Sequence, residues 1–412
     1  MRAYLTSWLN ETLLSGESPN ERLNVAINPE LAERLLSNLD PFDNSLVAEY
    51  SPQIEQKAIY GVSDLRDIAS TVAGGEINGS SPEITLNGMA EGDEAQILTS
   101  DRGRYVAGAI GVPGLGIRIE RSPVDANSGA EWGYFDSLNG FGFGIDNSGL
   151  YTFVKRSGAI VRKAYQSDWL LDSLDGTGPS GISIDPSDGS VFRFPFLWYG
   201  YGSIRFDVVN RTLTRDKTVT ADVASFKGEV SIDNPNLPVA AKIWGNCKLA
   251  LGGRQYGSYG RYTPKRRIVG AVREGVSVGT TDVPLVSFRL RSDVPVYESI
   301  SVKLQGVEIL TTDPIIWGIC YNPTLTGASF ETPAGFAANE TATEYDISAT
   351  AKSGGQKIYT ALAQGGSGNR LSEKSIDLPS LDAPPNAVIT LCAKSISGTS
   401  TVTAILRDRQ EW

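Results

Sequence analysis

The sequence predicts a mainly β protein with a β-sandwich or jelly-roll-like core, a short helical N-terminal arm and a C-terminal β-sandwich domain. Three observations favour this class. Apolar residues recur at every second position in many short segments, 44 glycines and 21 prolines supply turn formers, and helical patterns occur only near the N-terminus. The 412 residues are enough for about two or three domains with substantial cores.

Residues 1–82 are predicted to form an attachment arm with two short helices. In the first helix Asn28 is the N-cap residue, leucines recur on one face, and Asp40 and the proline after it end the pattern. The second helix is predicted in "SDLRDIASTVAGG", from the N-cap residue Ser63 to the glycines at 74 and 75. The polar stretches between these segments are typical of an arm that packs on a neighbour.

From about residue 81 onward the pattern changes to short alternating segments separated by glycine-rich turns. Such spacing favours a sandwich over a repeated strand–helix–strand unit. We assign residues 83–293 to a central β-sandwich domain and residues 294–412 to a C-terminal β domain. The boundary is placed at the proline-containing stretch near residue 293.

An aromatic ladder, "SVFRFPFLWYGYGSIRFDVVN", occupies residues 190–210. Alternate side chains of a strand share one face, so one side of this segment is uniformly apolar and the other is mixed. Burying each aromatic side chain is worth about 1.5–3 kcal/mol, so we interpret the ladder as core rather than as a ligand platform. The apolar side is formed by Phe192, Phe194, Phe196, Trp198, Ile204, Phe206 and Val208.

Charge and composition exclude several classes of function. The net charge of −10 opposes a general role in binding nucleic acid or anionic membrane, and no apolar run approaches the ~18 residues of a membrane span. The sequence contains no histidine, which removes His-based catalysis and His-ligated metal sites. The first residues form a poor signal peptide, so we expect the chain to act or assemble where it is made.

Three cysteines are far apart in the sequence and form no C-x-x-C motif. Each lies among apolar residues, so Cys247, Cys320 and Cys392 are interpreted as small buried hydrophobic residues. We therefore predict neither a zinc site nor a disulfide framework, and no cofactor.

Two polar stretches are candidates for chemistry or binding. The first contains five aspartates among glycines, for which turns, a structural cation site and a glycosidase carboxylate pair are the alternatives, with turns favoured. These aspartates are Asp168, Asp172, Asp175, Asp185 and Asp188.

The second stretch, "GGRQYGSYGRYTPKRR", interleaves basic residues and tyrosines. Stacking rings and guanidinium groups could contact a partner protein, a glycan or a nucleic acid, and a solvated loop is the simplest alternative. The residues predicted to contact a partner or a glycan are Arg254, Tyr256, Tyr259, Arg261 and Tyr262.

Several segments in order resemble a family of virion structural proteins of tailed bacteriophages and some large DNA viruses. The resemblance covers roughly residues 100–412, and its segments are "WGYFDSLNGFGFGIDNSGLYTFVKRSG" (132–158), Trp169 with "LDGTGPSG" (174–181), "FRFPFLWYGYGSIRFDVV" (192–209), "NPNLPVAAKI" (234–243) and the closing "AVITLCAKSISGTSTVTAILRDRQEW" (387–412). The resemblance implies a β-rich, non-enzymatic and multimeric protein, and it supplies no catalytic or metal-binding residues to carry over to this chain.

The resemblance implies a non-enzymatic virion component, assembled in the host cytoplasm as a homodimer or homotrimer, and the acidic, histidine-free and β-rich composition agrees with it. Its partners would be other virion proteins of the capsid, neck or tail, with an accessory head or neck fibre as the first expected location. The alternative is a receptor-binding module of the virion that recognises host-surface glycan, and a carboxylate-based glycan hydrolase is a third class. We expect no nucleic-acid or membrane partner.

Overall fold

The computed structural model describes residues 50–79, 82–211, 216–260, 266–291, 300–337, 340–366, 370–374, 383 and 387–411. Within them the chain is built from β-strands and two single 3₁₀ turns, Ala58–Tyr60 and Gln166–Asp168. The predicted mainly β sandwich class is confirmed. The first predicted helix, between residues 28 and 41, lies outside the described residues.

The first fifteen strands build one pair of sheets. They are β1 (Tyr50–Lys57), β2 (Asp67–Val72), β3 (Glu76–Asn78), β4 (Ile84–Gly88), β5 (Glu94–Thr99), β6 (Ile110–Arg121), β7 (Gly129–Phe135), β8 (Gly140–Asp146), β9 (Gly149–Arg156), β10 (Ala159–Tyr165), β11 (Ser190–Arg193), β12 (Ile204–Arg211), β13 (Asp216–Ala224), β14 (Val239–Trp244) and β15 (Cys247–Tyr259). One sheet has seven strands in the order β10-β9-β8-β7-β14-β5-β2. The other has eight strands, of which seven follow the order β13-β12-β11-β6-β15-β4-β3 and the eighth, β1, pairs with β15.

The remaining strands build a second pair of sheets. They are β16 (Arg266–Val278), β17 (Val283–Leu290), β18 (Ser301–Thr311), β19 (Ile315–Tyr321), β20 (Thr324–Thr326), β21 (Thr343–Asp346), β22 (Ala351–Ser353), β23 (Gln356–Ala363), β24 (Arg370–Lys374), β25 (Val388–Ser395) and β26 (Ser400–Glu411). A four-stranded sheet has the order β16-β26-β18-β24, and a five-stranded sheet has the order β21-β17-β25-β19-β23. The short strands β20 and β22 pair with each other.

The predicted second helix is wrong. Its segment forms a turn from Ser63, with the amide of Arg66 donating to the Ser63 carbonyl, and then strand β2, which pairs antiparallel with β5. The β-branched residues Ile68, Thr71 and Val72 favour a strand over a helix. Pairing with β5 then fixes the segment as a strand.

The predicted domain boundaries also differ from the strand pairing. Strands β1, β2 and β3 lie within the predicted arm, yet they pair with β15, β5 and β4 of the first two sheets. Strands β16 and β17 precede residue 293, yet they pair with β26 and with β21 and β25. The change from one sheet pair to the other falls between Tyr259 and Arg266.

The aromatic ladder lies in the core of the first sandwich, as predicted. Phe192, Phe194 and Phe196 are almost completely buried, and the ring of Phe192 lies 5.1 Å from Trp132 and 5.0 Å from Phe143. Ile204, Phe206 and Val208 belong to the same cluster, whereas Trp198 is half-buried at its margin. A second apolar cluster fills the space between the four-stranded and five-stranded sheets.

Candidate functional site

The Tyr/Arg stretch does not form an exposed patch where the structure describes it. Arg254 is only 5% exposed and forms an ion pair with Asp67. Tyr256 is fully buried, stacks on Tyr134 with the ring centroids 5.2 Å apart, and donates its hydroxyl to the Arg104 carbonyl at 3.0 Å. The glycan or partner contact predicted for Arg254 and Tyr256 is therefore corrected to a role in holding the sandwich together.

The physical reason is the position of β15 within its sheet. It pairs with β6 on one side and with β1 and β4 on the other, so its side chains enter packed layers. Tyr259, at the end of the strand, is half-buried, and its ring lies 5.7 Å from that of Tyr50. Arg261 and Tyr262 lie outside the described residues, and their role stays a prediction.

The five aspartates lie outside the strands, and three of them accept hydrogen bonds from nearby amides. Buried Asp172 accepts from the amides of Leu174 at 2.8 Å and Ser180 at 2.7 Å. Asp175 accepts from the amide of Thr177, and Asp185 accepts from the amide of Ser187, both at 2.8 Å. These contacts support the turn interpretation. Asp168 and Asp188 are exposed.

The same hydrogen bonds make a general-acid role for these carboxyls unfavourable. Bonds from Thr177 and Ser173 lower the pKa of Asp175 to about 2, and bonds from Ser187 lower the pKa of Asp185. A general acid needs a pKa raised towards the working pH, which is the opposite direction. Within the described ranges, no group of three or more Cys, Asp or Glu side chains is placed to hold a metal ion.

One carboxyl with a raised pKa lies away from any surface. Asp408 lies inside the second sandwich, where burial raises its pKa to about 7. Its neighbours include the side chains of Tyr345 and Gln410, which are also buried. With no exposed surface, this carboxyl cannot contact a substrate in the folded chain.

The described surface offers a different candidate, the outer face of the seven-stranded sheet, which lies opposite the main core. Strands β7 and β8 place glycines on this face where their neighbours place side chains, and Gly133 lies directly opposite Gly142. The core side of the same strands carries aromatic residues such as Trp132 and Phe143. The alternation Gly-Phe-Gly-Phe-Gly in β8 therefore gives one bulky face and one face without side chains.

Aromatic rings from neighbouring strands lie over these glycines. A Cβ atom on Gly144 would stand 2.4 Å from Cζ of Tyr151, and one on Gly129 would stand 2.3 Å from Cζ2 of Trp244. Only glycine lets each ring lie across the neighbouring backbone, an arrangement known to stabilise glycines in sheets. The rings therefore form a layer on the outer face rather than project from it.

We call this layer the aromatic face and define it by the rings of Phe135, Tyr151, Phe153, Tyr165 and Trp244. Phe135, Tyr151 and Phe153 are nearly fully buried, whereas Tyr165 and Trp244 are half-buried. The two half-buried rings are the members of the aromatic face that a ligand can reach directly.

Polar groups surround the half-buried rings. The Lys242 ammonium lies 2.9 Å from the Glu94 carboxylate, and the Lys163 ammonium lies 2.7 Å from the Asp146 carboxylate. The hydroxyl of Tyr165 also donates to Asp146, at 2.9 Å. These groups supply hydrogen-bond donors and acceptors beside the rings.

A buried carboxyl lies deeper on the same face. Glu131 accepts a hydrogen bond from the Tyr151 hydroxyl at 3.3 Å, and burial raises the pKa of Glu131. The nearby ammonium groups of Lys155 and Lys242 act in the opposite direction. Sequence reasoning missed this whole face, although the glycines alternating with phenylalanines in β8 were a signal for it.

Comparisons with known proteins add the following. No family model and no curated protein sequence matches the chain. Solved structures that resemble it include endo-1,3-β-glucanase from Streptomyces sioyaensis (8% identity, 52% of this chain and 97% of that chain, TM-score 0.35), metal-free lectin I-B4 from Griffonia simplicifolia (9%, 50% and 99%, 0.33) and β-glucanase from Bacillus licheniformis (8%, 52% and 99%, 0.32). At these identities and TM-scores the likeness assigns no ligand, metal or activity to this chain.

Proposed function

We propose that the chain is a non-enzymatic glycan-binding protein and that neutral saccharides bind on the aromatic face. The observation that carries the proposal is the position of Trp244, whose indole lies over the backbone of Gly129 while remaining half-buried. An aromatic ring held in this way offers a face to the apolar C–H surface of a sugar ring, and polar neighbours can bond the sugar hydroxyls.

The charges near Trp244 and Tyr165 favour a neutral ligand. The ammonium groups of Lys242 and Lys163 are already paired with Glu94 and Asp146. An anionic glycan would have to compete with these carboxylates, and the chain's net charge of −10 would repel it. The proposal agrees with the receptor-binding alternative suggested by the virion resemblance, in which the glycan belongs to the host surface.

Replacing Trp244 with alanine is expected to weaken glycan binding by roughly tenfold to thirtyfold, as for an aromatic residue at a binding hot spot. The ring is one of the two half-buried rings that a ligand can reach, so its removal lowers affinity without unfolding the sandwich. Binding is measured by retention of the full chain in affinity electrophoresis on neutral host-surface polysaccharides, and sugar release is monitored in parallel.

Two variants control this experiment. Trp244→Phe keeps a stacking ring and is expected to retain most of the binding, whereas Tyr201→Ala removes an exposed ring outside the aromatic face and should change nothing. Equal retention of Trp244→Ala and the unaltered chain would contradict the proposed site. Release of sugars would favour a hydrolase instead.

The second candidate function is a homo-oligomeric structural component of a virion, and strand β2 favours it. Among the described strands, β2 ends the seven-stranded sheet, and Ile68 and Val72 are 41% and 55% exposed. An exposed edge with apolar side chains can pair with the same edge of a second copy. We propose this edge as the contact between copies.

For this candidate, light scattering is expected to give the mass of a dimer for the full chain, because an edge that pairs with the same edge of a second copy joins two chains only. The variant Val72→Lys should shift the mass to that of a monomer, because a charged edge resists strand addition. Val124→Lys, at an exposed position outside the strands, is the matched control. An unchanged mass for Val72→Lys would exclude this edge as the contact.

The arm's contribution to assembly is tested with a shortened chain. A cut near residue 81 would remove β1, β2 and β3 from their sheets, so the shortened chain should begin at Ala48, where the compact unit Ala48–Trp412 starts. The same oligomer mass with and without the preceding residues would assign oligomerisation to the sandwiches.

A further inference from the structure

Two of the three cysteines lie side by side in the second sandwich. Cys320 is in β19 and Cys392 is in β25, and these strands are antiparallel neighbours. In their register Cys320 faces Thr390, two residues from Cys392, so both side chains lie on the same side of the sheet and on a diagonal. Their Sγ atoms are 3.1 Å apart.

The two Sγ atoms are near enough for a small movement to join them in a disulfide bond. A disulfide has an S–S distance of about 2 Å, so an approach of about 1 Å would bring the two sulfurs to bonding distance. The side chains already point towards each other across adjacent strands, so closing the bond requires no change of strand register. By contrast, Cys247 lies in the first sandwich, where its thiol donates to the Arg121 carbonyl at 3.4 Å.

The surroundings of the pair favour thiolate chemistry at one of the two sulfurs. The Cys392 thiol stabilises the Cys320 thiolate by a hydrogen bond, the ammonium groups of Lys352 and Lys357 add to this, and together they lower the pKa of Cys320. The pKa of Cys392 is raised, chiefly by its hydrogen bond with Cys320 and by burial. The thiolate is the form that attacks a disulfide, so Cys320 is the expected nucleophile.

We propose that Cys320 and Cys392 form an intramolecular disulfide when the chain meets a low-molecular-weight disulfide such as glutathione disulfide. The Cys320 thiolate attacks one sulfur of the oxidant, which forms a mixed disulfide and releases one small thiolate. The Cys392 thiolate then attacks the Cys320 sulfur, which closes the bond and releases the second small thiolate. Two electrons pass from the protein to the oxidant, and the two protons of the cysteines go to the released thiols.

Burial determines when this reaction takes place. Cys320 is 1% exposed and Cys392 is fully buried in the folded chain, so the oxidant reaches them during folding or local opening of the sheet. Once formed, the bond ties β19 to β25 and closes a loop between residues 72 positions apart. Such a loop restricts the unfolded chain, so the oxidised form is expected to melt at a higher temperature.

The test uses the full chain, unfolded and refolded with either glutathione disulfide or a reductant. Free thiols are counted after denaturation, the intact mass is measured, and the cross-linked peptides are identified. The oxidised sample is expected to retain one free thiol, that of Cys247, to weigh less by two hydrogen atoms, and to contain a peptide joining Cys320 to Cys392. The reduced sample should retain three free thiols.

Two variants distinguish the roles of the Cys320–Cys392 pair and of Cys247. Cys247→Ala should leave the cross-link intact and no free thiol, whereas Cys320→Ala should abolish the cross-link. Three free thiols after oxidative refolding of the unaltered chain would overturn the proposal, as would a bond involving Cys247. The readout does not depend on glycan binding or on oligomeric state. It therefore tests the disulfide even if either proposed function is wrong.

Discussion

Replacing Phe143 with alanine is expected to lower the free energy of unfolding by about 3–5 kcal/mol, the usual cost of removing a buried phenylalanine side chain. Phe143 is at the centre of the aromatic core of the first sandwich. Its ring lies 5.0 Å from Phe192, 5.8 Å from Phe194, 5.7 Å from Phe206 and 5.6 Å from Trp169. Removing it leaves a cavity bounded by strands of both sheets, which cannot close without moving the sheets together.

Urea unfolding followed by tryptophan fluorescence measures this effect, because Trp132 and Trp169 lie beside the cavity. Tyr201→Ala removes an aromatic side chain that is 67% exposed, and it should change stability by less than about 0.5 kcal/mol. A cost below about 1 kcal/mol for Phe143→Ala would mean that the core is less tightly packed than the ring distances indicate.

Replacing Arg254 with methionine is expected to cost a similar amount, about 3–5 kcal/mol, because it leaves the carboxylate of Asp67 buried without its cation. The two side chains are almost completely buried and join β15 of the eight-stranded sheet to β2 of the seven-stranded sheet. Asp67 would retain the hydrogen bond from the Ser63 amide at 2.9 Å, which compensates only part of the lost interaction.

The double variant Arg254→Met with Asp67→Leu provides the matched control. Removing both charges together is expected to restore most of the stability, because an apolar pair in a buried site often equals an ion pair. A surface role for Arg254 in contacting a ligand predicts the opposite pattern, in which the single variant keeps its stability and loses binding. Urea unfolding and polysaccharide retention, measured on the same samples, distinguish the two.

The fold class could be predicted because its signals are local. Alternation in the segment from Phe192 to Val208 identifies one apolar side, and burial of that side follows from the free energy of transferring aromatic rings from water. The segment after Ser63 could not be predicted correctly, because its turn resembles a helix start and its partner β5 lies further along the chain. Pairing between distant segments is decided by the whole sheet and not by the segment itself.

The candidate site was not predictable for the same reason. Trp244, Gly129, Asp146 and Tyr165 come from four strands, and only the register of the seven-stranded sheet brings them to one face. The contact predicted for the Tyr/Arg stretch was wrong because the composition of the stretch is typical of a surface. Its first part lies in β15, a central strand with neighbours on both edges.

The cysteine pair illustrates the same limit. The sequence correctly indicates that all three cysteines are buried, but nothing in it places Cys320 beside Cys392. Their proximity follows from the pairing of β19 with β25, strands that lie far apart along the chain. Sequence spacing therefore excludes close-set metal motifs but says little about cross-strand pairs.

The position of β26 determines the order in which the two sandwiches can fold. This strand lies between β16 and β18, and its pairing joins Arg266 to Glu411, near opposite ends of the second sandwich's sequence. Strands β7 to β10 instead follow one another as hairpins and can pair as soon as they have been synthesised. The second sandwich must wait until β26 leaves the ribosome, and during that interval the edges of β16 and β18 are open to other chains.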